Sequence, residues 1–207
     1  QFRALLSPLL TPRLLLDGQQ AYLYWTDSCG AGDQQRFLTE ASLTAVVAMS
    51  RRLSGERLPW RFYLAYPQPR YVEQYWVHLG EQLTFASQMT MMSLPLEYLH
   101  KPWAGASATA GQVAQQASCA QLESLGWPGS FIDQLYDHLY ANIREPLNLE
   151  RVASAFEMSP ASLKRKRHKH GTGFQDQLDQ VRKHVALYLY QMKGYSNEEV
   201  AGYLRFN

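Results

Sequence analysis

The densest run of functional groups in this 207-residue chain is Lys164-Arg165-Lys166-Arg167-His168-Lys169-His170. Lys and Arg attract phosphate oxygens, and either can also bond the O6 and N7 edge of a guanine. Ser159-Pro160-Ala161-Ser162 precedes the run, with Leu163 between. Ser is a favoured N-cap and Pro a favoured first helical residue, so the spacing predicts a helix from Pro160. On that helix Leu163 faces inward, while Ser162, Lys164, Arg165 and Lys166 lie mostly outward. Charge alone fits a solvated helix face equally well.

No other cluster points to chemistry as directly. His168 and His170 stand two apart on a helix and point away from each other, among cations that repel a metal ion, so no metal is expected. His78 with Glu81, and Asp137 with His138, are acid–base types without a recognisable nucleophile arrangement. No G-x-S-x-G, P-loop or H-E-x-x-H occurs, and no enzyme activity or cofactor is expected. Cys29 and Cys119 have no C-x-x-C partner and read as buried thiols. Trp25, Trp60, Phe62, Tyr63, Tyr66, Tyr71, Tyr75 and Trp76 crowd the first half. They suit core packing first and an aromatic-lined effector pocket second.

Composition bounds the rest. Apolar residues make up 46% and charged residues 18%, an ordinary globular balance that excludes a wholly disordered chain. No stretch approaches the roughly 20 apolar residues of a membrane span. No charged n-region followed by an apolar run marks a signal peptide. Two cysteines make no disulfide framework, so a reducing, cytoplasmic setting is expected. The net charge of +2 hides an asymmetry. Residues 142–207 carry 11 basic and 7 acidic side chains, net +4, against net −2 for residues 1–141. An imbalance of this kind points to an anionic partner for the second part.

The elements that must position the basic run follow from periodicity and punctuation. Thr11–Asp17 and Gln20–Thr26 are β-type runs around Asp17-Gly18, a hairpin signal. Gln34–Leu53 has Leu43, Val46, Val47 and Ser50 on one helix face and ends at Gly55. Trp60–Tyr66 reads as a strand, Tyr71–Leu79 as a short helix or extended segment, Gln82–Phe85 and Gln88–Ser93 as brief strands, and Pro95–His100 as a helical turn. Gly105–Ala120, rich in Ala, Ser and Gln, reads as a linker helix before a turn at Gly126-Trp127-Pro128-Gly129. From Ser130 the pattern is helical. Leu149, Val152, Ala153 and Phe156 mark one short helix, capped by Asn148. Phe174, Leu178, Val181, Val185, Ala186 and Leu189 mark a long one ending at Gly194. Ser196 and Glu199 form a capping-box pattern for a last helix with Val200, Ala201 and Leu204 inward.

A short apolar helix, a tight turn and a basic helix in succession form the arrangement whose second helix enters a major groove. Residues 147–207 resemble the DNA-binding domain of AraC/XylS-type bacterial transcription regulators, which holds two helix-turn-helix units joined by a long helix. The resemblance rests on Leu149…Val152-Ala153, Met158-Ser159-Pro160, Leu163 and Arg165. It continues through Gly171-Thr172-Gly173-Phe174, Arg182…Ala186 and Ser196…Glu199-Val200-Ala201…Leu204…Phe206. Residues 1–103 more weakly resemble the regulatory domain of the subgroup related to ornithine-type regulators, through Trp60–Tyr66, Gly80…Phe85, Met89–Ser93 and Leu99-His100-Lys101-Pro102. Three positions depart from the family: Glu157 and Arg205 stand where glycine is usual, and Arg167 where an apolar residue is usual.

The expected fold class is α+β: a mixed α/β sensor domain (1–104), a linker helix and turn (105–128), and an all-α helix-turn-helix domain (129–207) with its second unit truncated. The resemblance implies a piece of a longer regulator of transcription, incomplete at both ends. It implies double-stranded DNA as partner, with a small-molecule effector, RNA polymerase and a second copy of the chain as further ones. The expected DNA-binding residues are Ser159, Ala161, Ser162, Lys164, Arg165, Lys166, Lys169 and Arg182, with Arg144 weaker. Ala161 enters through the resemblance, as a small apolar side chain for a thymine methyl. The alternative is a sensor or interaction protein whose DNA-binding half has decayed, motivated by Glu157, Arg167 and Arg205.

Overall fold

Leu10–Asp17 (β1) and Gln20–Asp27 (β2) form an antiparallel hairpin in which Asp17 pairs with Gln20, leaving Gly18 and Gln19 as the turn. Gly18 sits at φ +57°, the backbone region that glycine occupies without strain at the first turn position. This computed structural model describes residues 9–27, 31–125, 130–168 and 173–205. The expected turn at 126–129, together with Cys29, Lys169, His170, Gly171, Thr172 and Phe206, lies outside the described residues. The chain divides into two compact units, residues 1–128 and 129–207.

In the first unit, a 3₁₀ turn at Gly32–Gln34 leads into helix α1 (Gln35–Ser54). Its buried row is Thr39, Leu43, Val47, Ser50 and Ser54. Gly55 ends it at φ +78°, its N–H bonding the Arg51 carbonyl at 3.0 Å, a left-handed cap that glycine adopts cheaply. There follow β3 (Arg61–Tyr63), α2 (Val72–His78), β4 (Leu83–Thr84), β5 (Met91–Pro95), α3 (Glu97–His100) and α4 (Ala108–Leu125). The strands form one mixed sheet in the order β1-β2-β5-β3-β4, antiparallel except for the β3–β4 pair.

One ladder explains the core. Phe62, Met92, Leu23 and Leu14 lie in register across β3, β5, β2 and β1. Phe62 and Met92 are buried beneath Leu43 and Val47 of α1 and Tyr75 and Leu79 of α2. Leu14, at the outer end of the same row, is 62% exposed, and Leu16 is 54% exposed. The apolar row thus runs out to β1, but among the described residues the helices cover only the inner strands.

Element boundaries moved where long-range pairing decides them. The segment expected at Gln88–Ser93 pairs with β2 as Met91–Pro95. The Trp60–Tyr66 run narrows to three strand residues. Beyond them, Leu64 donates to the Thr84 carbonyl and accepts from the Ser87 amide, closing a turn in which Ala86 takes φ +54°. The linker helix starts at Ala108 rather than Gly105, because Gly105 is tied back to the Leu53 carbonyl at 3.0 Å.

The second unit is helical: α5 (Phe131–Ala141), α6 (Leu149–Ala155), α7 (Pro160–His168), α8 (Phe174–Met192) and α9 (Asn197–Leu204). Leu135, Leu139, Val152, Leu163, Val181 and Leu189, all buried, belong to one core with Val200 and Leu204. Asn148 and Ser196 cap α6 and α9 through side-chain oxygens, as expected, and Ser130 caps α5 in the same way. Tyr136 bonds His184 Nδ1 at 2.7 Å and so seats α5 on α8.

Candidate nucleic-acid interface

Helix α7 is aimed by the turn that precedes it. Glu157 takes φ +54°, the left-handed region. Its amide bonds the Ser154 carbonyl at 3.0 Å, and the Met158 amide bonds Ala153 at 2.9 Å. That pair of bonds is a Schellman motif, which satisfies the last carbonyls of α6 and redirects the chain. Glu157 thus adopts the backbone geometry that favours glycine. Ser159 then caps α7: its Oγ accepts from the Ser162 amide at 3.1 Å and donates to Ser162 Oγ at 3.0 Å.

Leu163 anchors α7 with no exposed surface, against a core that includes Val152 and Ala153, also fully buried. The opposite face is open. Ala161, Lys164, Arg165, Lys166 and His168 are exposed, and Ser162 is half-buried. Lys164 and Arg165 make no ion pair or hydrogen bond among the described residues, so their charges face outward unneutralised. Lys166 differs: its Nζ lies 4.4 Å from the centre of the Phe131 ring, a cation–π contact with the start of α5. Arg182, half-buried on α8, lies 3.5 Å from Asp179. Arg144 stacks over Tyr203 at 5.1 Å. Lys169 is the one expected site residue outside the described set. The structure therefore brings Ser159, Ala161, Ser162, Lys164 and Arg165 together on one helix and gives Lys166, Arg182 and Arg144 partners of their own.

The remaining departures from the pattern have physical outcomes. Arg205 caps α9 at φ +53°, again a glycine-like geometry. Arg167 points inward one turn after Leu163 and is 5% exposed, with Nε and Nη1 enclosed and unpaired. Burial pulls its pKa down, and Asp176 opposes that only in part.

The first unit holds a polar cluster that the sequence did not single out. Arg36 bonds Glu40 at 2.8 Å and the Tyr75 hydroxyl at 3.0 Å, and lies over the Tyr66 ring at 4.0 Å. Tyr75 also donates to Glu40 and so ties α2 to α1. Burial works to raise the Glu40 pKa, but hydrogen bonds from Arg36, Tyr75 and Tyr66 outweigh it and hold the carboxyl below its usual range. The readable signal was the i, i+4 Arg–Glu spacing on a helix. The crowded aromatics of the first unit divide among several roles. Phe62 and Tyr75 are core residues, Trp60 bonds Ser50, and Tyr71 and Trp76 are exposed. An open groove of about 460 Å³ lies instead beside Val47, Ala48, Arg51, Arg52, Val77 and His78. Glu81 is exposed, and His138 packs its ring edge on Phe156. Among the described residues no three metal-ligating side chains converge, and no helix is long and apolar enough to cross a membrane.

Residues 1–103 match the family described as the arabinose-binding domain of AraC transcription regulators, N-terminal. Over 195 residues the chain is 30% identical to the ornithine utilization regulator of Pseudomonas aeruginosa, covering 94% of this chain and 58% of that protein. The chain thus spans little more than half the length of this curated relative. The crystal structure of the transcriptional regulator CdpR from Pseudomonas aeruginosa aligns with a TM-score of 0.41 at 20% identity, over 95% of this chain and 64% of that one.

Proposed function

From the membership of this chain in the AraC family of transcription regulators, we propose that its second unit binds duplex DNA at specific sequences, with α7 lying in a major groove. One observation carries this reading: Leu163 holds α7 on the core while Lys164 and Arg165 face outward with no partner among the described residues. Arg165 and Ser162, with Lys164 in part, read base edges, and Ala161 meets a thymine methyl. Lys164 and Lys169 neutralise phosphates. Ser159 holds the first turn of α7. Lys166 and Arg182 add positive potential from positions already partnered inside the protein.

The first unit is the regulatory part. A small-molecule effector bound there acts through its different affinities for two arrangements of the protein. A groove beside Arg51, Arg52 and His78 offers such an effector one open space. A dimer would place two copies of α7 on half-sites about one helical turn apart. The competing reading, a decayed DNA-binding half, expects loose packing around the first turn. The full burial of Val152, Ala153 and Leu163 and the glycine-like geometry of Glu157 stand against it.

The test is duplex binding at several salt concentrations, using the DNA upstream of the gene. Lys164→Ala with Arg165→Ala should keep the fold and weaken binding by about 1–3 kcal/mol for each side chain that bonds a base edge. Unchanged binding by the folded double variant would refute the assignment.

A further inference from the structure

Helix α1 is apolar on two sides. Leu43 and Val47 are buried in the core with Phe62 and Met92 of the sheet. On the opposite side Phe37, Ala41, Ala45, Ala48 and Met49 are all exposed, Phe37 at 65% and Met49 at 53%. From Ala41 to Ser50 the helix carries no charged residue. A helix that is apolar all round belongs in a protein interior, and the first unit buries only one side of this one. Among the described residues the other side stays open.

The open side carries a knob and a hole. Phe37 stands out near its start. Ala48 follows eleven residues later, about three turns along the same side. It borders the open groove of about 460 Å³, with Thr44, Arg51 and Val77 also on the walls. Between knob and hole, the small side chains of Ala41 and Ala45 let a second helix approach closely. Charge follows the same order. Asp33, one turn before Phe37, and Arg51, one turn after Ala48, are exposed and make no ion pair or hydrogen bond among the described residues.

A two-fold axis at the level of Ser42 and Leu43 exchanges the two ends of this side. It sets Phe37 over the partner's Ala48, Ala41 beside the partner's Ala45, and Asp33 level with the partner's Arg51. The three pairs share one midpoint to within about one residue, as an isologous contact requires and an unrelated partner would not impose. We propose that the outer side of α1 is a homodimer interface, in which α1 packs antiparallel on α1 of a second copy and each Phe37 ring enters the groove beside the partner's Ala48. The ring takes the apolar wall of the groove, and Arg52 and His78 remain for a small molecule. The pairing needs no DNA and does not rest on the DNA-binding reading.

The test is the oligomeric state of the whole chain without DNA, followed by sedimentation equilibrium over a range of concentrations. Wild type should be a dimer in equilibrium with monomer. Phe37→Ala and Ala48→Glu should each raise the dissociation constant about tenfold or more. Both side chains are exposed, so the circular dichroism spectrum should not change. Asp33→Arg and Arg51→Asp should each weaken the dimer, and the two together should restore it. A wild type that is monomeric at every concentration overturns the proposal and leaves the face to another part of the chain or another protein. A dimer indifferent to both Phe37→Ala and Ala48→Glu is built elsewhere and overturns it as well. Charge reversals that leave the dimer unchanged, or a double reversal that fails to restore it, overturn the antiparallel pairing.

Discussion

Replacing Glu157 by glycine should stabilise the second unit by about 0.5–1 kcal/mol. Glu157 holds φ +54° in the turn between α6 and α7. A non-glycine residue in that region pays about 1–2 kcal/mol. Glycine removes that cost and returns about 0.4–1 kcal/mol through the extra freedom of its unfolded chain. Nothing else is lost: the Glu157 side chain is exposed and makes no hydrogen bond or ion pair among the described residues. The two backbone bonds of the turn, from the amides of 157 and 158, survive the change. For a domain of this size the gain is a rise of about 2–8 °C in melting temperature. Calorimetry can separate the units, because all five tryptophans lie at or before position 127. The transition that tryptophan fluorescence does not see belongs to the second unit. Glu157→Ala is the control: it removes the carboxylate and keeps the strained backbone, so it should gain nothing. If Glu157→Gly melts no higher than wild type, or Glu157→Ala gains as much, the strain argument is wrong.

Two further outcomes follow from the hydrogen bonds. Ser159→Ala removes the cap of α7 and the partner of the Ser162 hydroxyl, and should cost the second unit about 1 kcal/mol in the same calorimetric transition; an unchanged melting temperature would show that the cap contributes nothing. The Glu40 carboxyl is held below its usual pKa, so its stabilisation is complete above the ordinary carboxylate value and disappears as pH falls through the lowered folded one. Acid titration followed by tryptophan fluorescence should show this loss in the first unit. Glu40→Gln should flatten that part of the curve, and an identical curve would remove Glu40 from the account.

Helices were legible where local rules act alone. Asn148, Ser159 and Ser196 cap the helices that their positions forecast, because a cap depends only on a side-chain oxygen reaching an amide three residues on. The inward rows of α1 and α8 followed from helical spacing for the same reason. The strands were less legible. Residues 88–95 carry a β-type composition, but pairing with Gln20–Tyr24 selected Met91–Pro95 as the strand, and that partner lies some seventy positions away. For the interface, residue type and spacing located α7 and its cations, while only packing distinguished them. Lys166 was grouped with Lys164 and Arg165 by charge, yet it lies against Phe131, thirty-five residues earlier.

The sequence by itself determined that a short apolar helix, a turn and a basic helix follow one another. Capping and periodicity act over a few residues, so the amino-acid order suffices to state them. Tertiary structure decided which charges are free. It left Lys164 and Arg165 open, set Lys166 on an aromatic ring, enclosed Arg167 against Phe174 with two of its nitrogens unbonded, and joined Arg36, Glu40 and Tyr75 across two helices. A charge acquires its environment from whatever the fold carries to it, and the groups that arrive are distant in the chain.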